Sequence, residues 1–353
     1  MTSSNNLLDR LELDVPIIQA PMAGTSNPEM AAAVSNAGGL GSLGIGASTV
    51  DVAREMIQKT KSLTDRSFNA NVFCHTSAHP NPENEAAWLS KLAPEFARFK
   101  VAPPEHISEI YTSFLADGEM FRMLLDENPA VVSFHFGLPV QSQIMAFKRQ
   151  GIVTLATATN LDEARRIEAA GIDAVVAQGW EAGGHRGCFD PDAPDARHGT
   201  LELAYILVKN LSIPVIAAGG MMDGAGIKTA LSLGATAAQL GTAFIACDES
   251  NADAAYRQAL KSDGACRTVM TRVISGRPAR CLPNAFTAWG EKVSNDRIPD
   301  YPTTYDAGKA LNAAAKSAGE HGFGAQWAGQ GAPLSREMSA GQLMQNLILE
   351  MNT

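Results

Sequence analysis

One histidine lies in a loop whose composition suits chemistry. His185 belongs to the run GWEAGGHRG at positions 179–187, which follows an apolar run of strand character. Glycines let the backbone of such a loop pass close to a bound group. A histidine there can take a proton from carbon or stabilise an anion, because its ordinary pKa lies near neutrality. We therefore predict that His185 is catalytic. The alternative is a histidine that only hydrogen-bonds its own loop.

Glycines also end two neighbouring strands farther along the chain. Gly219 and Gly220 follow one apolar run, and the segment 239–242 (QLGT) follows the next. The glycine pair leads through Asp223 and Gly224 into a helical pattern, where backbone N–H groups and the helix dipole favour a phosphate. Glycine after a strand is often only a turn, but two consecutive sites are typical of a phosphate position. No G-x-G-x-x-G motif directly follows the first strand, and no P-loop motif occurs. The sequence therefore supports neither a Rossmann dinucleotide site nor a P-loop nucleotide site.

Other polar side chains stand near strand ends. Asn71 and Gln178 carry amides that suit the edge of a heterocycle, although either side chain could instead satisfy backbone groups. His135, on a predicted strand, either lines the site or is a satisfied core residue. The remaining histidines show no metal-ligand spacing and are expected at the surface; they are His75, His79, His106, His198 and His321.

A cluster of phenols and one amine occurs near the C-terminus. Tyr301, Tyr305 and Lys309 are spaced by four residues. Such a group could gate a small anion and neutralise its charge. The alternative is one face of a helix with Lys309 in solvent, although Pro302 argues against a helix that includes Tyr301. No G-x-S-x-G elbow and no recognisable cysteine–histidine pair is present.

Composition limits the class of protein. The chain has 353 residues, with 28 Lys and Arg against 37 Asp and Glu, for a net charge of −9. This balance disfavours binding to nucleic acid or to a membrane surface. Five scattered cysteines, no secretory signal and no long apolar run lead us to expect a cytoplasmic protein. We expect a monomer or a homodimer.

Short apolar strands alternate with helical patterns along the chain. Helices are expected at 162–170, at 201–211 with Thr200 as N-cap, and at 340–351. Eight strands favour a parallel sheet closed into a (β/α)8 TIM barrel, with an open doubly wound sheet as the alternative. The predicted strands are 16–20, 40–43, 68–73, 131–135, 153–156, 174–177, 215–218 and 237–240.

Two stretches interrupt this alternation. We expect barrel segments at 1–74 and 105–246, an insertion at 75–104 with a short helical patch near Trp88, and a C-terminal barrel helix within 332–353. The stretch 247–331, after the eighth strand, is predicted to be a small, mostly helical domain that covers the substrate. Such insertions emerge at the C-terminal face of a barrel, where these folds carry their chemistry.

Six motifs together resemble the class I nitronate monooxygenases, formerly called 2-nitropropane dioxygenases. They are QAPMAG at 19–24, AAAVSNAGGLGSLG at 31–44, AQGWEAGGHRG at 177–187, PVIAAGGMMDG at 214–224, AAQLGTAF at 237–244 and YPTTYDAGK at 301–309. The resemblance spans nearly the whole chain. It implies a barrel that binds FMN without a covalent bond. It also implies oxidation of alkyl nitronates, propionate 3-nitronate above all, by O2 through a flavosemiquinone to a carbonyl compound and nitrite or nitrate.

The resemblance also implies roles for individual residues. His185 matches the catalytic histidine of the family. The substrate pocket would contain Tyr111, Tyr256, Tyr301, Tyr305 and Lys309, with His135 added from its strand position. FMN would contact Met22, Gly24, Asn71, Gln178, Gly183, Gly220, Gln239, Leu240, Gly241 and Thr242, with Gly219 added from the glycine pattern.

Two other functions remain open at this stage. An FMN-dependent NAD(P)H:quinone or enoyl-thioester reductase would share the glycine and histidine loop, but the cluster of Tyr301, Tyr305 and Lys309 argues against it. A flavin- or phosphate-binding module without catalysis is disfavoured by His185 and the long covering segment.

Overall fold

The eight predicted strands form one parallel sheet. The computed structural model describes residues 5–353 of the chain. Most of the side chains on these barrel strands are buried, as expected for a parallel sheet covered on both faces. In chain order, the strands are β1 Ile17–Gln19, β2 Gly41–Gly44, β3 Phe68–Phe73, β4 Val131–His135, β5 Val153–Ala158, β6 Ala174–Gln178, β7 Gly184–His185, β8 Val215–Ala218, β9 Ala237–Leu240, β10 Val269–Thr271 and β11 Ala279–Cys281. Of these, β7, β10 and β11 lie outside the barrel sheet.

The sheet closes on itself. Its order is β1-β9-β8-β6-β5-β4-β3-β2. The outer strands meet through a parallel bridge between Ile18 and Leu40, with the Gln19 N–H donating to the Leu40 carbonyl at 2.9 Å. The (β/α)8 barrel prediction is confirmed, and the open doubly wound sheet is wrong.

Helices surround the barrel and build its covering segment. They are α1 Asn5–Arg10, α2 Pro28–Asn36, α3 Val50–Leu63, α4 Pro82–Arg98, α5 Gly118–Glu127, α6 Gln141–Arg149, α7 Leu161–Ala169, α8 Thr200–Asn210, α9 Gly224–Ser232, α10 Thr242–Ile245, α11 Ala254–Leu260, α12 Ala285–Gly290, α13 Thr303–Ser317 and α14 Ala340–Met351. Among them, α7 and α14 follow the predicted bounds to within one residue.

One predicted helix start is wrong. Thr200 was expected to cap α8, but it is the first helical residue, and Gly199 is the N-cap without a side-chain bond. The carboxylate of Glu181, in the loop between β6 and β7, caps the helix instead. It accepts hydrogen bonds from the Thr200 N–H at 2.8 Å and from the Thr200 hydroxyl at 3.0 Å. This contact ties the loop that carries His185 to the start of α8.

The two inserted stretches pack together over the barrel. The helical patch near Trp88 is longer than expected, since α4 has 17 residues. Trp88, Leu92 and Phe96 of this helix share a hydrophobic cluster with Phe286 of α12 and Leu311 of α13. Burying each such side chain stabilises the fold by about 2 kcal/mol. The cluster holds α13 in place above the C-terminal ends of the barrel strands.

Two strands of the covering segment (residues 247–331) form a small antiparallel sheet with β7, and the prediction of a mostly helical segment did not include these strands. Its order is β10-β11-β7, and β7 carries His185. His185 pairs with Ala279, and Gly184 pairs with Arg280. His185 was expected in a loop, so that local prediction is wrong. Backbone pairing to the segment after the eighth barrel strand now sets its position.

None of the helices within residues 5–353 combines the length and the apolar character that a membrane crossing requires.

Candidate active site

A cavity of about 400 Å³ opens at the C-terminal ends of the barrel strands, beneath the covering segment. Its size lies within the range of roughly 300–1,000 Å³ that is usual for small-molecule sites. Every residue that the sequence predicts for the site lines this cavity, on the barrel side and on the covering side alike. The barrel strands and the loops after them supply polar groups, and α13 supplies Tyr305 and Lys309. One cavity therefore joins the predicted catalytic, cofactor and substrate residues.

The imidazole of His185 has a defined hydrogen-bond partner. Its Nε2 lies 2.9 Å from the Ser275 hydroxyl oxygen. When that hydroxyl donates to the Arg277 carbonyl, 3.3 Å away, its oxygen accepts from the imidazole. In this arrangement the proton of the neutral ring is on Nε2, and Nδ1 is a proton acceptor. Ser275 was not predicted, since it lies ninety positions from His185 and has no local motif.

The burial of His185 determines its charge. Burial lowers the pKa of the imidazole to about 3, and the nearby His135, Arg277 and His75 lower the pKa further in the same direction. The pKa is therefore well below the ordinary value for histidine. A positive charge at this buried position would be poorly solvated and repelled by Arg277. His185 is a neutral hydrogen-bonding group and a weak base.

Two side chains hold the backbone of His185. The Gln178 amide donates to the His185 carbonyl at 2.9 Å and accepts from the Gly187 N–H at 2.7 Å. The His135 Nε2 lies 3.3 Å from the same carbonyl, and its Nδ1 lies 3.0 Å from the Thr157 hydroxyl. Gln178 thus satisfies backbone groups, as one of the two alternatives for this residue stated, and it also lines the cavity. These contacts position the segment that carries the imidazole.

His75 was expected at the surface, and that expectation is wrong. Its side chain is buried edge-on against Tyr301, with ring centroids 5.0 Å apart. Neither ring nitrogen has a hydrogen-bond partner within residues 5–353. Burial and then Arg277 lower its pKa to about 4. The residue lies just beyond the end of β3, the same kind of position that singled out Asn71.

The three buried histidines predict a loss of stability in acid. Burial lowers the pKa of His135 to about 4, as for His75, and that of His185 to about 3. In the unfolded chain all three would bind protons below about pH 6.5. Stability present above that pH is therefore lost as the pH falls towards 4. We expect the free energy of unfolding to drop by roughly 3 kcal/mol between neutral pH and about pH 5.5.

Urea unfolding at the two pH values measures this effect. In the variant His75→Leu, one titrating group is gone, so the pH-dependent change should shrink by about one third. A free energy of unfolding that stays constant over this interval in the unsubstituted protein would contradict the burial of neutral histidines.

Phenols and one amine form the covering side of the cavity. Helix α13 begins at Thr303, so Tyr305 and Lys309 lie one turn apart on it, whereas Tyr301 precedes the helix. The Lys309 Nζ lies 4.7 Å from the Tyr111 ring centroid and 5.6 Å from that of Tyr305. Within the described chain, Lys309 makes no ion pair with a carboxylate. Burial and then the Asp306 charge raise the pKa of Tyr111 to about 12, so its phenol is a neutral donor.

Trp327 and Tyr256 also lie on the covering side of the cavity. The Trp327 ring centroid lies 5.0 Å from that of His185. The Tyr256 hydroxyl donates to the Trp327 carbonyl. Trp327 lies in no recognisable motif and was not predicted. Tyr256 and Tyr111, which had only the resemblance to support them, both line the cavity.

Backbone amides line the opposite end of the cavity. Gly219 and Gly220 follow β8 with φ values of 131° and 70°, which are accessible to glycine at little cost. Gly241 follows β9 and leads into α10. In the part of the chain that the structure describes, the N–H groups of Gly219, Gly220, Gly241 and Thr242 donate to no protein acceptor. Converging free N–H groups of this kind suit an anionic oxygen.

One part of the predicted phosphate site is wrong. The start of α9 was expected to contribute its dipole, but that helix end is already satisfied. Asp223 accepts from the Gly226 N–H at 2.8 Å, and Glu350 accepts from the Gly224 N–H at 2.9 Å. Two carboxylates there would repel a phosphate. The amides after β8 and β9 therefore remain the candidates for binding a phosphate.

Comparisons with known proteins agree on one family. The sequence model described as nitronate monooxygenase matches residues 4–350. The chain is 57% identical over 350 residues to the nitronate monooxygenase of Paraburkholderia phytofirmans, with 99% of this chain and 96% of the relative covered. It is 52% identical over 341 residues to the nitronate monooxygenase of Pseudomonas aeruginosa, with 97% of each covered.

A solved structure resembles the whole chain as well. The nitroalkane oxidase of Streptomyces ansochromogenes superposes with a TM-score of 0.87 at 40% identity, covering 98% of this chain and 97% of that one. The likeness includes the covering segment as well as the barrel, since so little of either chain is left out. The protein is thus an oxidoreductase, and the chain belongs to the nitronate monooxygenase family.

Proposed function

We propose that the protein is an FMN-dependent nitronate monooxygenase. It would oxidise alkyl nitronates, with propionate 3-nitronate as a substrate, using O2 and forming a carbonyl compound and nitrite or nitrate. One observation carries this proposal: a single cavity has backbone amides at one end and a neutral imidazole, phenols and an amine at the other, and neither these amides nor the amine has a protein partner within residues 5–353.

The residues present fit FMN. The phosphate would bind the free N–H groups of Gly219, Gly220 and Gly241. The Thr242 hydroxyl accepts from the Gly329 N–H at 2.9 Å, so its own proton is free for a phosphate oxygen. The ring system would contact other residues that line the same cavity, which are Met22, Gly24, Asn71, Gln178 and Gly183. When bound, FMN supplies an electron acceptor for the nitronate and an electron donor for O2.

The side chains of the covering wall would bind the nitronate. Its negative charge would be balanced by the Lys309 ammonium, which has no carboxylate partner among residues 5–353. The neutral phenols of Tyr111 and Tyr305 would donate hydrogen bonds to its oxygens. Buried aromatic rings around His185 would exclude water from the reacting carbon. A nitronate already lacks its α-proton, so this binding requires no base.

Oxygen uptake tests the proposal. The purified protein should show flavin absorption and should consume O2 when propionate 3-nitronate is added, with nitrite or nitrate released. The contrary result is a flavin-loaded protein that consumes no O2 with any alkyl nitronate.

A reductase on the same barrel would behave differently. It would accept a hydride from NADH or NADPH, so its flavin should lose colour rapidly when either is added without O2. We expect the flavin of this protein to stay oxidised under those conditions and to react only after a nitronate is added. Rapid bleaching by NADH would favour the reductase.

A further inference from the structure

A second cavity adjoins the active site. Its volume is about 240 Å³, and it lies between the loop after β1 and the covering segment. Tyr256, Tyr305 and Trp327 line both cavities and so form the wall between them. Lys309 also lines both. Any molecule in the second cavity therefore lies directly outside the predicted substrate pocket.

Positive and hydrogen-bonding side chains line the second cavity. Lys309, Asn312 and Lys316 project from one side of α13, at spacings that place them along the same helical face. The Asn312 carboxamide oxygen is buried and has no hydrogen-bond partner within residues 5–353, but as an acceptor it cannot bind an anion, so only the N–H groups of this side chain could donate to one. In a chain of net charge −9, Lys309 and Lys316 bring two positive charges to this cavity, and these attract anions.

One carboxylate opposes these groups. Asp253 accepts from the Lys316 ammonium at 2.6 Å with one oxygen, and from the Tyr256 N–H at 2.8 Å with the other. The second bond caps α11, which carries Tyr256 into the wall of the active site. Asp253 thus forms an ion pair with Lys316, while Lys309 has no carboxylate partner in the described chain.

We propose that the second cavity is an anion vestibule that binds a small planar oxyanion outside the active site. This inference rests on the proposed function, because the nitronate substrate and the nitrite product both present two oxygens on one trigonal atom. An incoming anion would exchange with Asp253 at Lys316, contact Asn312 and pass to Lys309. The wall of Tyr256, Tyr305 and Trp327 separates this position from the reacting one.

Two substitutions with opposite expected effects test the vestibule. Lys316→Gln removes one positive charge, so kcat/KM for propionate 3-nitronate should fall about five-fold, mainly through KM. Asp253→Asn keeps a good N-cap for α11 but removes the competing carboxylate, so kcat/KM should rise by about two-fold or more. The matched control Lys292→Gln changes the net charge equally on an exposed part of the chain and should change nothing.

Calorimetry of nitrite binding to the same flavin-loaded proteins needs no turnover. We expect nitrite affinity to weaken in Lys316→Gln and to strengthen in Asp253→Asn. If only KM for the nitronate responds, the vestibule serves substrate entry; if nitrite affinity shifts too, the product shares it, and either result supports the proposal. Equal nitrite affinities and equal kcat/KM values in all four proteins would overturn it. Losses in both Lys316→Gln and Asp253→Asn would also overturn it, because they would indicate a merely structural ion pair.

This design separates the two proposals. A wild-type protein that consumes no O2 with a nitronate would contradict the proposed function. The vestibule would then depend on the nitrite calorimetry alone, where opposite shifts in Lys316→Gln and Asp253→Asn would support it and equal nitrite affinities would overturn it.

Discussion

In the variant His185→Asn, turnover of a neutral nitroalkane is expected to fall by about 100-fold or more, while FMN content stays unchanged. The reason is the tautomer that Ser275 selects. With the ring proton on Nε2, Nδ1 is a free acceptor for a proton from the α-carbon. Asparagine offers no comparable base. A nitronate needs no such proton transfer, so its turnover should fall by less than about ten-fold in the same variant.

Oxygen uptake with nitroethane and with ethyl nitronate, together with the flavin-to-protein ratio, measures these effects. Ser275→Ala is the companion variant, since it releases Nε2 while keeping the imidazole. We expect it to lower nitroalkane turnover less than His185→Asn does. Nitroalkane turnover that is equal in His185→Asn and in the unsubstituted protein would refute the role of the imidazole.

The lowered pKa of His185 also predicts which substrates the protein prefers. A base is most effective when its pKa lies near the working pH, and burial lowers this pKa to about 3. The unsubstituted protein should therefore use preformed nitronates at least about 100-fold more efficiently than the parent nitroalkanes. Since the imidazole is already neutral, its titration should not produce an acid limb in the kcat/KM profile for nitronates between about pH 5 and pH 8.

The second large effect concerns cofactor binding. Gly241→Asp is expected to weaken FMN binding by about 100-fold or more, because it places a carboxylate beside the amides that would hold the phosphate. The site has room for the change. A Cβ there would lie 3.4 Å from the Ala20 Cβ and 3.7 Å from the Met22 Sδ, and the backbone has a φ of −107°. The fold should therefore tolerate the substitution.

Gly241→Asn is the matched control, with nearly the same size and no charge. Fluorescence titration of each apoprotein with FMN gives the two dissociation constants. We expect Gly241→Asn to bind FMN far more tightly than Gly241→Asp does. If both variants bind FMN as the unsubstituted protein does, the phosphate lies elsewhere.

The barrel was predictable because its signals are local. A parallel strand buried on both faces appears in the sequence as a short apolar run, and the strands β3, β4, β8 and β9 begin and end at the predicted residues. The residues at the strand ends followed, since the carboxyl ends of parallel strands meet at one face. Asn71, Gln178, Gly219 and Gly241 were found in this way.

The environment of His185 was not predictable, because it depends on contacts distant in sequence. β7, β10 and β11 have only two or three residues each, too few for a periodic pattern. Their pairing places Ser275 and Arg277 near an imidazole ninety positions earlier. Tyr301 of the covering segment and Phe136 after β4 both pack against His75 and help to bury it. The pKa of the predicted catalytic residue follows from these long-range contacts.

The helix start of α9 shows a similar limit. Asp223 and Gly224 have the composition of a phosphate-binding helix start, and Asp223 is a good N-cap by sequence. The Glu350 carboxylate reaches the same helix end from α14, 126 positions away. That contact determines which backbone N–H groups remain without a protein acceptor in the described chain, and no local sequence pattern predicts it.

Titration of the apoprotein with FMN and, separately, with riboflavin tests the central claim most directly. The two molecules share the ring system and differ by the phosphate, so the difference in affinity isolates the contribution of the amides after β8 and β9. The account predicts that FMN binds about 100-fold more tightly or better, restoring flavin colour and nitronate-dependent O2 uptake. Equal affinities for the two flavins, or an apoprotein that stays colourless and inert with FMN, would contradict it.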